Sequence, residues 1–371
     1  MTSALEQVVA RSEILVTCGP GGVGKTTTAA ALAAAVAVDR GGEVLVLTVD
    51  PARRLAQALG LEGLGNEVAE VPLPGARGRL HAAMLDMKQS WDALVSQHAP
   101  DEATAEAILA NPLYDNITSR FIASHDYIAM ERLFELHGEG RYDLIVVDTP
   151  PSRSALDFLD APARMEEFFS SRLLRWIIAP YRNRLVGMAS KPFAQVADRI
   201  LGAQFLADIA EFFILFQSMY DGFVARAASV SRLLADERCA FVVVSTGEPV
   251  PAREAGFLAG ELARRDLQLG AIVANRMLPQ SLADPEMLEG ARQLAAQSDQ
   301  LAARLGLDER VTRVTTAELA SSLEDFARLA QRERAEREGL ARFGEVVALP
   351  YLAEEVTDLR ALLRLGRAAL A

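Results

Sequence analysis

Cysteine and histidine are scarce in this sequence. Of 371 residues, two are cysteine (Cys18 and Cys239) and four are histidine (His81, His98, His125 and His137). The cysteines stand far apart and no Cys-x-x-Cys pair occurs, so neither a disulfide framework nor a bound zinc is expected. Aromatic residues are few, at 6%. Long apolar runs are also missing. Ala29–Val38 falls well short of the roughly 18–20 residues that a membrane span needs. Met1–Arg11 lacks the apolar core of a signal peptide. Positive charge is in deficit, with 38 Lys and Arg against 50 Asp and Glu, a net charge of −12. Non-specific nucleic-acid binding runs on Lys and Arg neutralising phosphates, so no nucleic-acid partner is expected. These absences predict a soluble, cytoplasmic protein. What is abundant is apolar residues, at 50%, enough for a sizeable core and too many for a disordered chain.

The apolar residues fall in short continuous runs separated by helical patterns. Glu13–Cys18 reads as a strand, Lys25–Arg40 as an Ala-rich helix stopped by Gly41-Gly42, and Glu43–Val49 as a second strand. Strand, helix and strand at this spacing form a βαβ unit with parallel strands. Further strands are predicted at Leu80–Asp86, Asp143–Val147, Ala240–Ser245, Leu269–Ala274, Arg310–Thr315 and Val346–Leu349. Continuous apolar strands suit a parallel sheet covered on both faces. The predicted class is α/β, a doubly wound, mostly parallel sheet in one domain over 1–371. Two long helical stretches, about 88–139 and 157–237, break the rhythm and read as a helical subdomain inserted into that core. Phe205–Leu234 carries a wide apolar stripe that is either core packing among helices or a groove for a hydrophobic client. Gln331–Glu338 is a charge run expected on a solvated helix face.

Chemistry concentrates after the first strand. Gly19-Pro20-Gly21-Gly22-Val23-Gly24-Lys25-Thr26 fits the phosphate-loop pattern G-x-x-x-x-G-K-[ST], between a predicted strand and a predicted helix. Gly21, Gly22, Val23 and Gly24 can turn successive N–H groups toward phosphates, and the helix start through Lys25, Thr26 and Thr27 adds partial positive charge. Lys25 supplies a point charge to the β- and γ-phosphates, and the Thr26 hydroxyl is a ligand for Mg²⁺. The expected cofactors are ATP and Mg²⁺. Asp50 ends the second strand, where a doubly wound sheet opens its ligand crevice. It can position the attacking water or help hold Mg²⁺, and it can at the same time cap the helix that Pro51 opens. Asp148 follows four apolar residues and reads as a magnesium-associated acid.

The Gly-Gly-Val-Gly-Lys-Thr-Thr loop, the Asp50-Pro51-Ala52 turn and the Asp148-Thr149-Pro150-Pro151 turn together resemble the ArsA-type ATPases, over nearly the whole chain. That family includes the arsenite-pump ATPase and the ATPase that targets tail-anchored membrane proteins. The resemblance implies a nucleotide-dependent dimer, homomeric or with a paralogue, whose ATP sites face each other. It places Asp50 in a first switch and Asp148 in a second. It also implies that Asn275, followed by Arg276, reads adenine, and that Pro350-Tyr351-Leu352 packs near the base. The implied partner is a hydrophobic client or a membrane protein.

The chain departs from the family pattern at Pro20. Relatives usually carry a lysine there that reaches the partner's phosphates. Hydrolysis is then slow, or a paralogue supplies the lysine, or another cation replaces it. Arg53 and Arg54 are the candidates for replacement, and a solvated helix start is their plainer reading. The paired cysteines that hold zinc at the dimer interface of the tail-anchor ATPase have no counterpart. The motifs and the resemblance together imply a Mg-ATP-hydrolysing dimeric switch with Lys25, Asp50 and Arg53 catalytic and Thr26, Asp50 and Asp148 around the metal. A weakly hydrolysing regulatory or scaffold subunit is the alternative.

Overall fold

The computed structural model describes residues 3–49, 53–61, 63–114, 122–149 and 203–371, together with Asp160 and Glu167. Its strands are β1 (Ile14–Cys18), β2 (Glu43–Thr48), β3 (Ala69–Val71), β4 (Arg79–Met84), β5 (Leu144–Asp148), β6 (Cys239–Thr246), β7 (Leu269–Met277) and β8 (Val346–Pro350). They form one eight-stranded sheet in the order β3-β4-β2-β5-β1-β6-β7-β8. Every neighbouring pair is parallel except β3–β4 at one edge. The α/β, doubly wound, mostly parallel class follows directly.

Before the fifth strand lie α1 (Ala4–Arg11), α2 (Lys25–Asp39), α3 (Arg53–Ala58), α4 (Met87–His98), α5 (Glu102–Leu109) and α6 (Ile122–Gly138). After it come α7 (Ala203–Gln217), α8 (Tyr220–Leu234), α9 (Pro249–Arg264), α10 (Pro285–Ala296), α11 (Ser298–Leu305), α12 (Glu309–Leu340) and α13 (Leu359–Leu370). The central strands are buried on both faces, so alternate residues feed two separate cores. Leu15, Val44, Val46, Val146 and Val242 pack with α1, α2 and α13. Ile14, Val16, Leu45, Leu47, Val147 and Phe241 pack with helices from α4 to α9.

α2 is rich in alanine because it is buried along nearly its whole length, from Thr28 to Ala37. Small side chains bring α13 close, and the approach is tightest at Gly366. A Cβ there would lie 2.0 Å from the Ala31 carbonyl oxygen. Gly366→Ala is therefore expected to destabilise the protein by roughly 1–3 kcal/mol as an overpacking change. A lowered urea midpoint at unchanged m-value would show it, and an unchanged midpoint would contradict the tight α2–α13 contact.

The helical stretches predicted from sequence contain α4 to α6 and α7 to α8. Residues 157–202, apart from Asp160 and Glu167, lie outside the described residues. Within the apolar stripe Phe212, Phe216, Met219 and Phe223 are buried. Phe216 stacks on Phe212 at 5.4 Å and on Phe223 at 5.1 Å, with Trp91 of α4 beside them. These four side chains are core.

One predicted strand is wrong. Arg310–Thr315 forms the first turns of α12. Its β-branched residues suggested a strand, but Asp308 caps the helix by accepting from the Val311 N–H at 2.9 Å. The Thr312 and Thr316 hydroxyls donate to the carbonyls of Asp308 and Thr312, so neither competes against the helix. Both threonines are buried, at helical spacing. The edge strand β3 was not expected. The charge run Gln331–Glu338 lies on α12, where Arg334 and Glu338 pair at 2.9 Å and are largely exposed. Glu333 departs from that face and accepts the Leu278 N–H at 2.7 Å.

Candidate functional site

β1, β2 and β5 end level with one another. Thr17 and Thr48 both lie beside Asp148 in register. The glycine loop leaves β1 at this edge and enters α2 at Lys25. Gly19 has φ +147°, and a Cβ on it would come within 2.1 Å of the Val244 carbonyl oxygen, so no side chain fits under the loop. Gly24 has φ +94°, and its Cβ would meet the Asn275 amide nitrogen at 2.5 Å. As N-cap of α2, Gly24 offers no side-chain cap, and the first turn carries no acidic residue. The N-terminus of α2 thus faces the loop with neither a capping side chain nor a carboxylate, the arrangement an anion requires.

Lys25 is buried, and its Nζ donates to the Pro20 carbonyl at 2.9 Å. Its ammonium therefore lies folded into the loop. Gly21 and Gly22 are exposed, whereas Thr26 and Thr27 are half-buried at the start of α2. Asp148 is fully buried, and its Oδ2 accepts from the Thr48 hydroxyl at 3.0 Å. The Thr149 hydroxyl donates to the Thr17 carbonyl at 2.8 Å, fixing the exit from β5. The chemistry of this donor set fits Mg-nucleotide: one buried cation, an uncapped helix start, a hydroxyl at Thr26 and a carboxylate at Asp148.

Asn275 and Arg276 sit near the end of β7. The Asn275 amide donates to the Val23 carbonyl at 2.8 Å, and Arg276 Nη1 donates to the Gly22 carbonyl at 3.3 Å. Pro350 ends β8 opposite Met277, and the Tyr351 N–H donates to the Met277 carbonyl at 2.9 Å. The structure therefore brings the loop, Asp148, Asn275, Arg276 and Pro350 to one edge of the sheet. Asp50, Pro51, Ala52, Pro150 and Pro151 lie outside the described residues. Arg53 and Arg54 open α3, and only their backbone is described. Two features were not read from sequence: the Thr48 hydroxyl on Asp148, and the grip of Asn275 and Arg276 on the loop. The first has no local signal. The second could have been suspected only from Asn-Arg at the end of a strand.

Cys18 and Cys239 are buried, and desolvation pushes each thiol up to about 12. Among the described residues, no helix is long and apolar enough to cross a membrane.

A doubly wound sheet with this loop between β1 and α2 defines a P-loop NTPase fold. Residues 12–302 match the anion-transporting ATPase (ArsA ATPase) family, and the chain belongs to that family. It is similar to an uncharacterized protein of Streptomyces coelicolor, 30% identical over 74% of this chain and 65% of that protein. It is also similar to a putative arsenical pump-driving ATPase of Chlorobaculum tepidum, 28% identical over 50% of this chain and 43% of the relative. The ATPase GET3 of Malassezia globosa is 26% identical, over 70% of this chain and 71% of its own length. The chain spans less than two thirds of the length of the first two.

Proposed function

We propose that this chain binds and hydrolyses Mg-ATP and works as a nucleotide-dependent dimeric switch on a client protein. The observation that carries the reading is the uncapped, acid-free start of α2 wrapped by a loop that holds the buried Lys25. Lys25 would leave the Pro20 carbonyl for the β- and γ-phosphates, a move across the same small loop. Gly21 to Thr27 would donate backbone N–H groups to phosphate oxygens. Thr26 and Asp148, with Asp50, would hold Mg²⁺, and Thr48 keeps Asp148 oriented for it. The chemistry the ion supplies when bound is neutralisation of charge on the β- and γ-oxygens. Asp50 would orient the attacking water. Asn275 and Pro350 would flank the base. Family membership supports the ATPase reading.

The relatives named as arsenical pump-driving ATPases suggest a metalloid cargo, but this chain is a poor match for it. Thiolates capture arsenite, and both cysteines here are buried thiols held protonated at neutral pH. A protein client on the helices from α4 to α8, with the chain in the cytoplasm, is the reading we favour. The partner subunit is a second copy or a paralogue, and no zinc joins them.

Pro20 favours a second reading, a weakly hydrolysing regulatory subunit of a heterodimer. Single-turnover hydrolysis by the chain alone, and with a paralogue added, separates the two. Turnover alone supports the switch; turnover only with the paralogue supports the regulatory subunit.

On the switch reading, Arg53 or Arg54 supplies the cation that Pro20 cannot. Guanidinium suits phosphate because its planar fork donates two hydrogen bonds. Both residues open α3, and adjacent helical side chains diverge by about 100°. At most one can face the nucleotide. One alanine substitution is expected to slow hydrolysis at least tenfold, about 1.4 kcal/mol of transition-state stabilisation, and the other to change it little. If both variants hydrolyse like the parent, the missing charge comes from elsewhere.

A further inference from the structure

The end of β7 grips the phosphate loop at two successive carbonyls. Asn275 Nδ2 donates to the Val23 oxygen at 2.8 Å, and Arg276 Nη1 to the Gly22 oxygen at 3.3 Å. Asn275 is buried, and it approaches so closely that only glycine fits at position 24. Arg276 adopts φ +59°, one of two non-glycine residues with positive φ among those described. Such a conformation is costly for a residue with a Cβ and persists only where its surroundings hold it. Here the restraint is visible, because the Arg276 N–H donates to Asn275 Oδ1 at 2.9 Å. One amide side chain therefore serves both ends: its oxygen holds the strained backbone of Arg276 and its nitrogen holds the loop.

In a trans peptide the carbonyl of one residue and the N–H of the next point in opposite directions. Pulling the Gly22 and Val23 carbonyls toward β7 turns the N–H groups of Val23 and Gly24 the other way, to the inner side of the loop. We propose that Asn275 and Arg276 are positioning residues that latch the phosphate loop in its anion-binding form before any nucleotide arrives. The proposal rests on the nucleotide-binding reading above. It assigns to the pair a role independent of the base, felt by a ligand that has phosphates and nothing else. Without the latch the two peptide planes are free to rotate, and the bound state must be reordered on binding.

The test uses the full chain with Mg-ATP and with Mg-tripolyphosphate, which carries no base, each competed against a fluorescent ATP analogue. The variants are Asn275→Asp, which loses the donor to Val23, and Arg276→Gly. Glycine accepts positive φ without strain, so Arg276→Gly should melt no lower than the parent. We expect both variants to bind tripolyphosphate at least fivefold more weakly, and Arg276→Lys, which keeps a donor, to recover part of the loss. A merely structural role for Arg276 predicts the reverse pairing, a lowered melting temperature with unchanged phosphate affinity, and that result overturns the proposal. It is also overturned if both variants bind tripolyphosphate like the parent while Asn275→Asp alone loses ATP, since the pair would then act on the base only. A parent that binds neither ligand overturns the latch and the nucleotide reading together, which sets that failure apart from the others.

Discussion

Lys25→Ala is expected to weaken Mg-ATP binding at least a hundredfold, about 2.7 kcal/mol. Lys25 carries the only charge between Gly19 and Thr27, in a chain whose net charge of −12 repels a polyanion. Its side chain is buried, so its field on a neighbouring phosphate is little screened by salt. Losing a charged donor at such a site costs about 1.5–3 kcal/mol in the hydrogen bond alone. Lys25 Nζ donates to the Pro20 carbonyl, a contact within its own loop. Calorimetric titration checks the expectation, and an affinity close to the parent's would remove Lys25 from the site.

Asp50→Asn is expected to do the opposite. Nucleotide binding should stay within a few-fold of the parent, and single-turnover hydrolysis should fall a hundredfold or more, about 2.7 kcal/mol of barrier. Asn keeps the size of the side chain and loses the charge that orients and polarises a water. Val49, the residue before it in sequence, donates its N–H to the Asp148 carbonyl at 3.1 Å. Hydrolysis at the parental rate would leave Asp50 with the capping role as its reading. Quenched-flow measurement of phosphate formation decides between the two.

The core of the fold was legible because parallel strands buried on both faces carry a local signal, an unbroken apolar run such as Leu144–Val147. β3 carries no such signal. It is three residues long, Ala69-Glu70-Val71, and exists because β4 offers it a backbone edge. Arg310–Thr315 misled for a related reason: its β-branched side chains suit a strand, and the Asp308 cap that favours a helix, with the threonine hydroxyls satisfied on helix carbonyls, is a matter of interactions rather than composition. The phosphate loop was legible because its chemistry is contiguous. Glycine at 19 and 24 and Lys25 at the helix start are all dictated within one turn of chain. Thr48 on Asp148, and Asn275 and Arg276 on the loop, join residues at least 100 positions apart. Asn275 was singled out by resemblance alone, and for its contact with a base. Its hold on Val23 appears only once β7 is placed two strands from β1.

The central claim is that the loop between β1 and α2 is where nucleotide phosphate binds. Hydrogen–deuterium exchange of the wild-type chain, with and without Mg-ATP, tests it amide by amide. Backbone N–H groups that come to donate to phosphate oxygens, those in the first turn of α2 among them, exchange more slowly once the ligand is bound. The account predicts that Mg-ATP slows exchange most strongly across Gly21–Thr27, with weaker protection at Asn275 and Arg276. Unchanged exchange across Gly21–Thr27 at saturating Mg-ATP would contradict it.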